Sequence, residues 1–173
     1  MNYLLIIIIS FFGLSSSTQI QQQDSIYIHR ILEQGTVMGQ LLVAKDYKLL
    51  CKYVYPPVIE KYGSEDKMIG LMKQVLEQME ITGYTILNVS VVDPLSIVHF
   101  KDEIQCALSQ NIEMKIPTGR EMLHSGLIGI SADNGENWTF IDTQGKELKA
   151  LQTFFPNLSD SLVLPEKREP EKL

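Results

Sequence analysis

The chain has 173 residues, of which 45% are hydrophobic and 21% charged, as in an ordinary globular domain that can bury a core. Its formal net charge is −6, and no cluster of lysine or arginine offsets it. This balance argues against a nucleic-acid-binding protein, because contacts to phosphates need clustered cations.

Residues 1–17 are typical of a signal peptide, which predicts a secreted or periplasmic protein. Leu4 to Leu14 form an apolar run that is too short to span a bilayer, and small residues follow it. We therefore expect cleavage after Ser17. The run is preceded by no lysine or arginine, so an uncleaved membrane anchor is the alternative.

The first predicted helix of the mature chain begins at Asp24 or the serine after it and continues to Leu42. A polar lead of residues 18–23 comes before it, and we expect this lead to be mobile. Gly35 and Gly39 lie inside the helix. They either weaken it or let another segment of the chain approach it closely.

Two shorter helical segments follow. Asp46 leads into an apolar helical face that extends to Val54. Pro56 and Pro57 stop this segment and start a further helical turn, which ends at Gly63.

The strongest helical pattern begins after Ser64, a good N-cap residue, and ends before Gly83, a natural C-terminal glycine. Its apolar stripe is rich in methionine. Such a stripe fits either an adaptable binding surface or a core, and we interpret it as core. The stripe consists of Met68, Met72, Val75, Leu76 and Met79.

From Thr85 onward the sequence alternates as strands do. The expected strands lie at residues 87–91, 97–100, 104–108, 112–116 and 122–130. Residues 101–103 form a hairpin turn, and Pro117-Thr118-Gly119 forms another turn. A short last helix is expected at residues 146–155, and the charged residues 166–173 are predicted to be disordered.

A hairpin with a specific turn organises the stretch from Leu127 to Asp142. The spacing of Ser131, Asp133, Gly135 and Trp138 resembles the Asp-box of sialidases and other secreted proteins. Asn137 stands where that family usually has threonine. In that family the box is a folding device that lies away from the active site and occurs in several copies. One copy therefore predicts a structural hairpin and no propeller.

Helices followed by antiparallel strands predict an α+β fold. The chain resembles a group of small secreted bacterial proteins without an assigned activity. The resemblance implies N-terminal helices packed on one face of a curved antiparallel sheet, as in the cone-shaped nuclear transport factor 2-like and cystatin-like folds. Residues 24–156 would form this domain, and residues 157–173 a C-terminal extension. The matching landmarks are Asp46-Tyr47, Tyr53 to Pro56, Lys67 to Ile69, the hairpin Ser131 to Asp142, and Pro156.

Cys51 and Cys106 have two possible states. An exported protein could join them in one disulfide, or both could be buried free thiols, which their apolar surroundings favour slightly. Neither belongs to a CxxC motif, so redox catalysis is not expected.

No pattern of catalytic or cofactor-binding residues is present in the sequence. The three histidines have no metal-ligand spacing, and neither a nucleophile elbow nor a phosphate-binding glycine loop occurs. We therefore predict no metal and no cofactor. If the fold encloses a cavity, the polar side chains that would line it are Asp46, Tyr53, Tyr55, His99 and His124.

Three functions remain open after these exclusions. The first is a secreted, non-enzymatic domain that binds an unknown protein or small-molecule ligand, and we favour it. The second is a small cavity enzyme, of the isomerase or hydratase type, that uses tyrosine, aspartate and histidine as acid and base. The third is an assembly protein that forms a homodimer through the face of its sheet.

Overall fold

The computed structural model describes the backbone of residues 16–92 and 94–173 and side chains from residue 24 onward. Most of the predicted signal peptide, residues 1–15, lies outside this part. The helices are α1 (Ser16–Val43), α2 (Tyr47–Leu50), α3 (Pro56–Tyr62), α4 (Glu65–Ile81) and α5 (Leu148–Gln152). The strands are β1 (Thr85–Val91), β2 (Ser96–Phe100), β3 (Glu103–Ile116), β4 (Gly119–Ser131), β5 (Thr139–Asp142) and β6 (Glu171–Lys172). The chain is therefore an α+β protein.

Helix α1 begins at Ser16, so the polar lead expected at residues 18–23 is part of the helix. Threonine and glutamine at these positions leave the backbone free to continue as a helix. The two internal glycines do allow close approach. A Cβ on Gly35 would lie 3.1 Å from the methyl groups of Val91, on strand β1. Small residues therefore bring α1 down onto the sheet.

The predicted ends of the short helices are confirmed. The hydroxyl of Ser64 accepts a hydrogen bond from the Lys67 N–H at 3.2 Å, and the Asp46 carboxylate accepts one from the Leu49 N–H at 3.1 Å. Gly63 and Gly83 have φ of +87° and +88°, which glycine adopts without strain. After α2 the chain makes a 3₁₀ turn, Cys51–Tyr53.

The sheet is antiparallel and has β3 and β4 at its centre. These two strands form one long hairpin, from Ile116 opposite Gly119 to Ile104 opposite Ser131. Strands β1 and β2 follow each other along the outer side of β3, and β5 and β6 do the same along β4. The two separate strands expected at residues 104–108 and 112–116 are thus a single strand.

Both faces of the sheet are covered. On the first face, α1 packs through Tyr27 and Ile31 against a cluster that includes Leu108, Leu127 and Trp138. On the second face, α5 and the segment after it pack against Ile128, Ile130 and Ile141, and Val58 of α3 joins them. The expectation of helices on one face is therefore wrong, because α3 and the C-terminal segment cover the other.

The C-terminal segment is part of the domain. Leu158 and Leu162 are 3% and 5% exposed and belong to the second-face core. Farther on, β6 pairs with β4, with Glu171 opposite Met122, and the Leu173 N–H donates to the Arg120 carbonyl at 3.0 Å. The end of the chain, expected to be disordered, thus adds a short strand to the sheet.

Candidate interaction surface

The Asp-box-like turn is held by its own side chains. The Ser131 hydroxyl donates to the Asp133 carboxylate at 2.8 Å and accepts from the Gly135 N–H at 2.9 Å. Asn137 donates to Asp133 from its backbone at 2.9 Å and from its side-chain amide at 2.7 Å. The Trp138 ring is buried, and its Nε1–H donates to the Gly135 carbonyl at 3.1 Å. These contacts assign the four predicted hairpin residues a structural role.

The same turn is fastened to helix α1. Arg30 donates to the Gly135 carbonyl at 3.3 Å and pairs with the Glu136 carboxylate at 2.8 Å. One α1 turn later, Gln34 donates to the Glu136 carbonyl and accepts from the Trp138 N–H, both at 2.8 Å. The polar groups of the turn are therefore used within the fold.

The five side chains predicted to line a cavity do not meet. Asp46 caps α2. Tyr53 packs against the first-face core and Tyr55 against the second-face core, so the two tyrosines lie on opposite sides of the sheet. The Tyr55 hydroxyl donates to the Glu103 carboxylate at 3.5 Å. Burial is the largest cause that raises the pKa of Tyr55, and the negative charge of Glu103 is the next.

The two histidines are also far apart in the sheet. His99, on β2, is exposed and its ring lies 6.0 Å from that of Tyr27. His124, on β4, has its Nδ1 2.8 Å from Asn111 Oδ1 and its Nε2 3.3 Å from Glu171 on β6. His124 thus connects the C-terminal strand to the sheet, and no acid–base pair forms among the five predicted residues.

Two depressions in the described residues are small or open. A cavity of about 60 Å³ lies where α1, α4 and the start of β1 meet, beside an ion pair of 2.6 Å between Lys45 and Glu80. The hydrogen bond to Glu80 raises the pKa of Lys45. A second, shallow depression follows the outer side of α1 from His29 to Gln40. Neither contains any of the five predicted residues.

Cys51 and Cys106 are both buried and free. Burial raises the pKa of the Cys106 thiol to about 12, although a hydrogen bond from the Gly129 backbone opposes this shift. Burial also raises the pKa of Cys51. Both thiols are therefore protonated near neutral pH and act as small apolar side chains.

The methionine-rich stripe of α4 is buried only in part. Met68 is 4% exposed and Met72, Leu76 and Met79 are half-buried, but Val75, also in the stripe, is 57% exposed. Ile81, at the end of the helix, is 78% exposed. The interpretation of the stripe as core therefore holds at Met68, whereas the rest of the stripe is half-buried or exposed.

The outer edge of β1 and β2 has no strand beside it in the described residues, although α1 lies against the Val89 carbonyl in the middle of β1. Between these strands the Val92 N–H donates to the Ser109 carbonyl and the Leu95 N–H to the Ala107 carbonyl, so both ends of the connection lie against β3. Within the described residues, β1 and β2 pair with β3 alone. At the opposite edge, by contrast, β5 is covered by Val54 and β4 by β6.

This open edge is apolar and almost without charge. Tyr84 and Leu87 are each 39% exposed, and Val92 and Leu95 are 45% and 58% exposed. From residue 81 to residue 92 the sequence has no charged side chain. The whole protein has 15 lysine and arginine residues and 21 aspartate and glutamate residues. The sequence pattern predicted the strand correctly. The absence of charged residues from residue 81 to residue 92 was the signal that could have identified it as an apolar edge strand.

No protein-family model, curated protein or solved structure matches this chain. Across residues 16–92 and 94–173, none of the helices combines the length and the apolar character needed to cross a membrane. In the same part of the chain, no group of three or more histidine, cysteine and acidic side chains is arranged to hold a metal.

Proposed function

We propose that this chain is an exported, non-enzymatic interaction domain that binds a partner polypeptide by strand addition to the edge formed by β2 and the end of β1, beyond Val89, which α1 covers. The observation that carries the proposal is the edge itself, which is unpaired in the described residues, free of charge from residue 81 to residue 92, and lined by exposed apolar side chains. Export rests on the signal-peptide pattern of residues 1–17, with a secreted or periplasmic location. The order of helices and then antiparallel strands also supports our proposal of a cone-shaped, cystatin-like fold, here with α3 and the C-terminal segment on the second face of the sheet.

Strand addition follows from the chemistry of such an edge. Alternate backbone N–H and C=O groups of an edge strand point away from the sheet and pair with any extended chain laid beside them. Proteins usually protect an exposed edge with charged side chains, proline or a bulge. Here β1 has a bulge at Leu87, and Pro94 follows the strand, but no lysine or glutamate blocks it.

The cavity-enzyme alternative has little support. It requires at least two titratable groups that converge in a pocket. Tyr53 and Tyr55 lie on opposite faces of the sheet, and His99 is exposed. A cavity of about 60 Å³ has room for a few water molecules and no organic substrate.

Photo-crosslinking in the cell of origin tests the proposal. A photoreactive amino acid placed at Leu95, on the open edge, is expected to trap a covalent adduct of defined mass in the exported fraction. The matched control replaces Leu173, which is 62% exposed but lies beside Arg120 at the opposite side of the sheet, and it should trap none. Equal adducts at both positions, or none at Leu95, would contradict binding at this edge.

A further inference from the structure

We infer that His124 is a pH-sensitive switch for the C-terminal strand: its protonated form holds β6 against β4, and its neutral form releases β6. The inference goes beyond the proposed function, because it concerns the outer side of β4 and not the edge of β1 and β2. It rests on the two groups that the ring nitrogens of His124 face.

Strand β6 is attached to the sheet by few backbone contacts. Its two residues pair with Glu121 and Met122 of β4, and the Leu173 N–H donates to the Arg120 carbonyl at 3.0 Å. All residues from 166 to 173 are exposed. A segment with so few buried contacts opens easily. Side-chain contacts to β4 therefore decide whether β6 stays in place.

The ring of His124 lies between two hydrogen-bond acceptors. Its Nδ1 is 2.8 Å from Asn111 Oδ1, and its Nε2 is 3.3 Å from the Glu171 carboxylate of β6. A neutral imidazole has one N–H, whereas the protonated ring has two. Protonated His124 therefore donates to both oxygens at once. In the neutral ring, one nitrogen presents a lone pair to an oxygen.

Burial makes this mismatch costly. The side chain of His124 is only 13% exposed, so water has little room to replace a missing partner. Glu171 is 64% exposed and regains water when β6 leaves the sheet. Neutral His124 is therefore better satisfied when β6 is released.

The charged residues of the neighbouring strands mainly pair with one another. Partners across the sheet share a face, so Glu113 and Lys115 of β3 and Arg120 of β4 lie on the same face as His124. Glu113 forms an ion pair with Arg120, and Lys115 is exposed. The acidic charge that these strands contribute near His124 is thus already neutralised.

The other segments near His124 contribute no net charge. Residues 85–91 of β1, beyond β3, contain no charged side chain. Residues 166–169, which precede β6, contain two acidic and two basic side chains, all exposed. Glu171 is therefore the charged group on which attachment of β6 to His124 depends.

The sign of the pH dependence follows from this arrangement. The contribution of protonated His124 is complete below the ordinary histidine pKa of about 6.5 and is lost as the pH rises above it. In the described residues, β6 is the strand that covers the outer side of β4 at Glu121 and Met122. An acidic medium thus closes this part of the sheet, and a neutral one opens it.

Heteronuclear NOEs between the amide protons and nitrogens of the full chain, measured at pH 5.5 and pH 7.5, test the inference. The values for Glu171 to Leu173 are expected to match those of β4 at pH 5.5 and to fall towards those of a mobile terminus at pH 7.5. Glu171→Gln and His124→Gln should each lose this difference, because each removes one charge of the pair. The values for β4 check that each variant is folded.

The matched control is Glu166→Gln, which makes the same change of charge at an exposed residue of the same segment. It should keep the full response to pH. Equal wild-type values at the two pH values would overturn the inference. A response that persists in Glu171→Gln or His124→Gln would also overturn it, and so would a response that Glu166→Gln abolishes. None of these results bears on the edge of β1 and β2, so the proposed function stands or falls separately.

Discussion

Gly39 of α1 and Val89 of β1 are in such close contact that a Cβ on Gly39 would lie 2.9 Å from the Val89 carbonyl oxygen. The contact sets the distance between the long helix and the strand at the open edge. Because backbone atoms meet there, neither element can move aside without disturbing hydrogen bonds of the sheet. The glycine therefore positions β1, and with it the surface assigned to binding.

Replacement of this glycine should destabilise the protein. We expect Gly39→Ala to reduce the free energy of unfolding by about 1–3 kcal/mol, the usual cost of overpacking. The matched control is Gly70→Ala in α4, where a Cβ would have nothing within 4 Å. That change should stabilise the protein by up to about 1 kcal/mol, because alanine favours a helix. Urea denaturation measures both, and equal effects would contradict the contact.

The turn at Asp133 predicts a dependence of stability on pH. Burial raises the pKa of Asp133. Hydrogen bonds from Asn137 and Ser131 together lower the pKa by more than burial raises it, so the net shift is downward. A lowered pKa stabilises the fold fully above the ordinary aspartate value of about 3.9 and loses this contribution as the pH falls through the folded value.

Asp133→Asn removes the charged acceptor. We expect it to reduce the free energy of unfolding at pH 7 by about 1–3 kcal/mol, a typical cost of weakening hydrogen bonds to a charged group. The difference from the wild type should begin to shrink below pH of about 4, where the unfolded carboxylate binds a proton, and should vanish below the lowered pKa of the folded state. Urea denaturation at pH 7 and pH 3 checks this, and a difference that is as large at pH 3 as at pH 7 would count against the assignment.

The thiols should be inaccessible in the native protein and free in the unfolded one. Burial keeps Cys106 protonated, with a pKa of about 12, and Cys51 is buried as well. A maleimide reagent at pH 7 should therefore label neither cysteine until guanidinium unfolds the chain, after which it should label both without a reductant. Unfolded protein that takes up no label before reduction would show a disulfide.

The C-terminal segment should contribute strongly to stability. Leu158 is 3% exposed in the second-face core, so Leu158→Ala is expected to cost about 2–5 kcal/mol. Val163→Ala, five residues on at an exposed position, should change stability by less than about 0.5 kcal/mol. If thermal unfolding gave the two variants equal midpoints, the segment would not belong to the core.

Local chemistry made much of the fold predictable. Ser64, Gly63 and Gly83 mark helix ends through hydrogen bonds and backbone angles that depend on neighbouring residues alone. The Ser131 to Trp138 hairpin is specified in the same way, by side chains within eight positions of one another. The α+β order follows from the change in hydrophobic period near Thr85.

The errors concern contacts between distant segments. The polar residues Ser109 to Asn111 divide the hydrophobic pattern of β3 into two, but pairing with β4 keeps the strand continuous. The apolar stripe of α4 does not reveal that Val75, one of its members, stays 57% exposed. Likewise Tyr53 and Tyr55 belong to one short stretch, and only the topology places them on opposite faces of the sheet.

Hydrogen exchange of the β2 amides, in the isolated protein and in the complex trapped through Leu95, tests the central claim most directly. The account predicts that β2 amides exchange more slowly in the complex, because carbonyl groups of the added strand accept hydrogen bonds from them. The amides of β6, which already pair with β4, should not change. Exchange of the β2 amides that is the same in both samples would contradict strand addition at this edge.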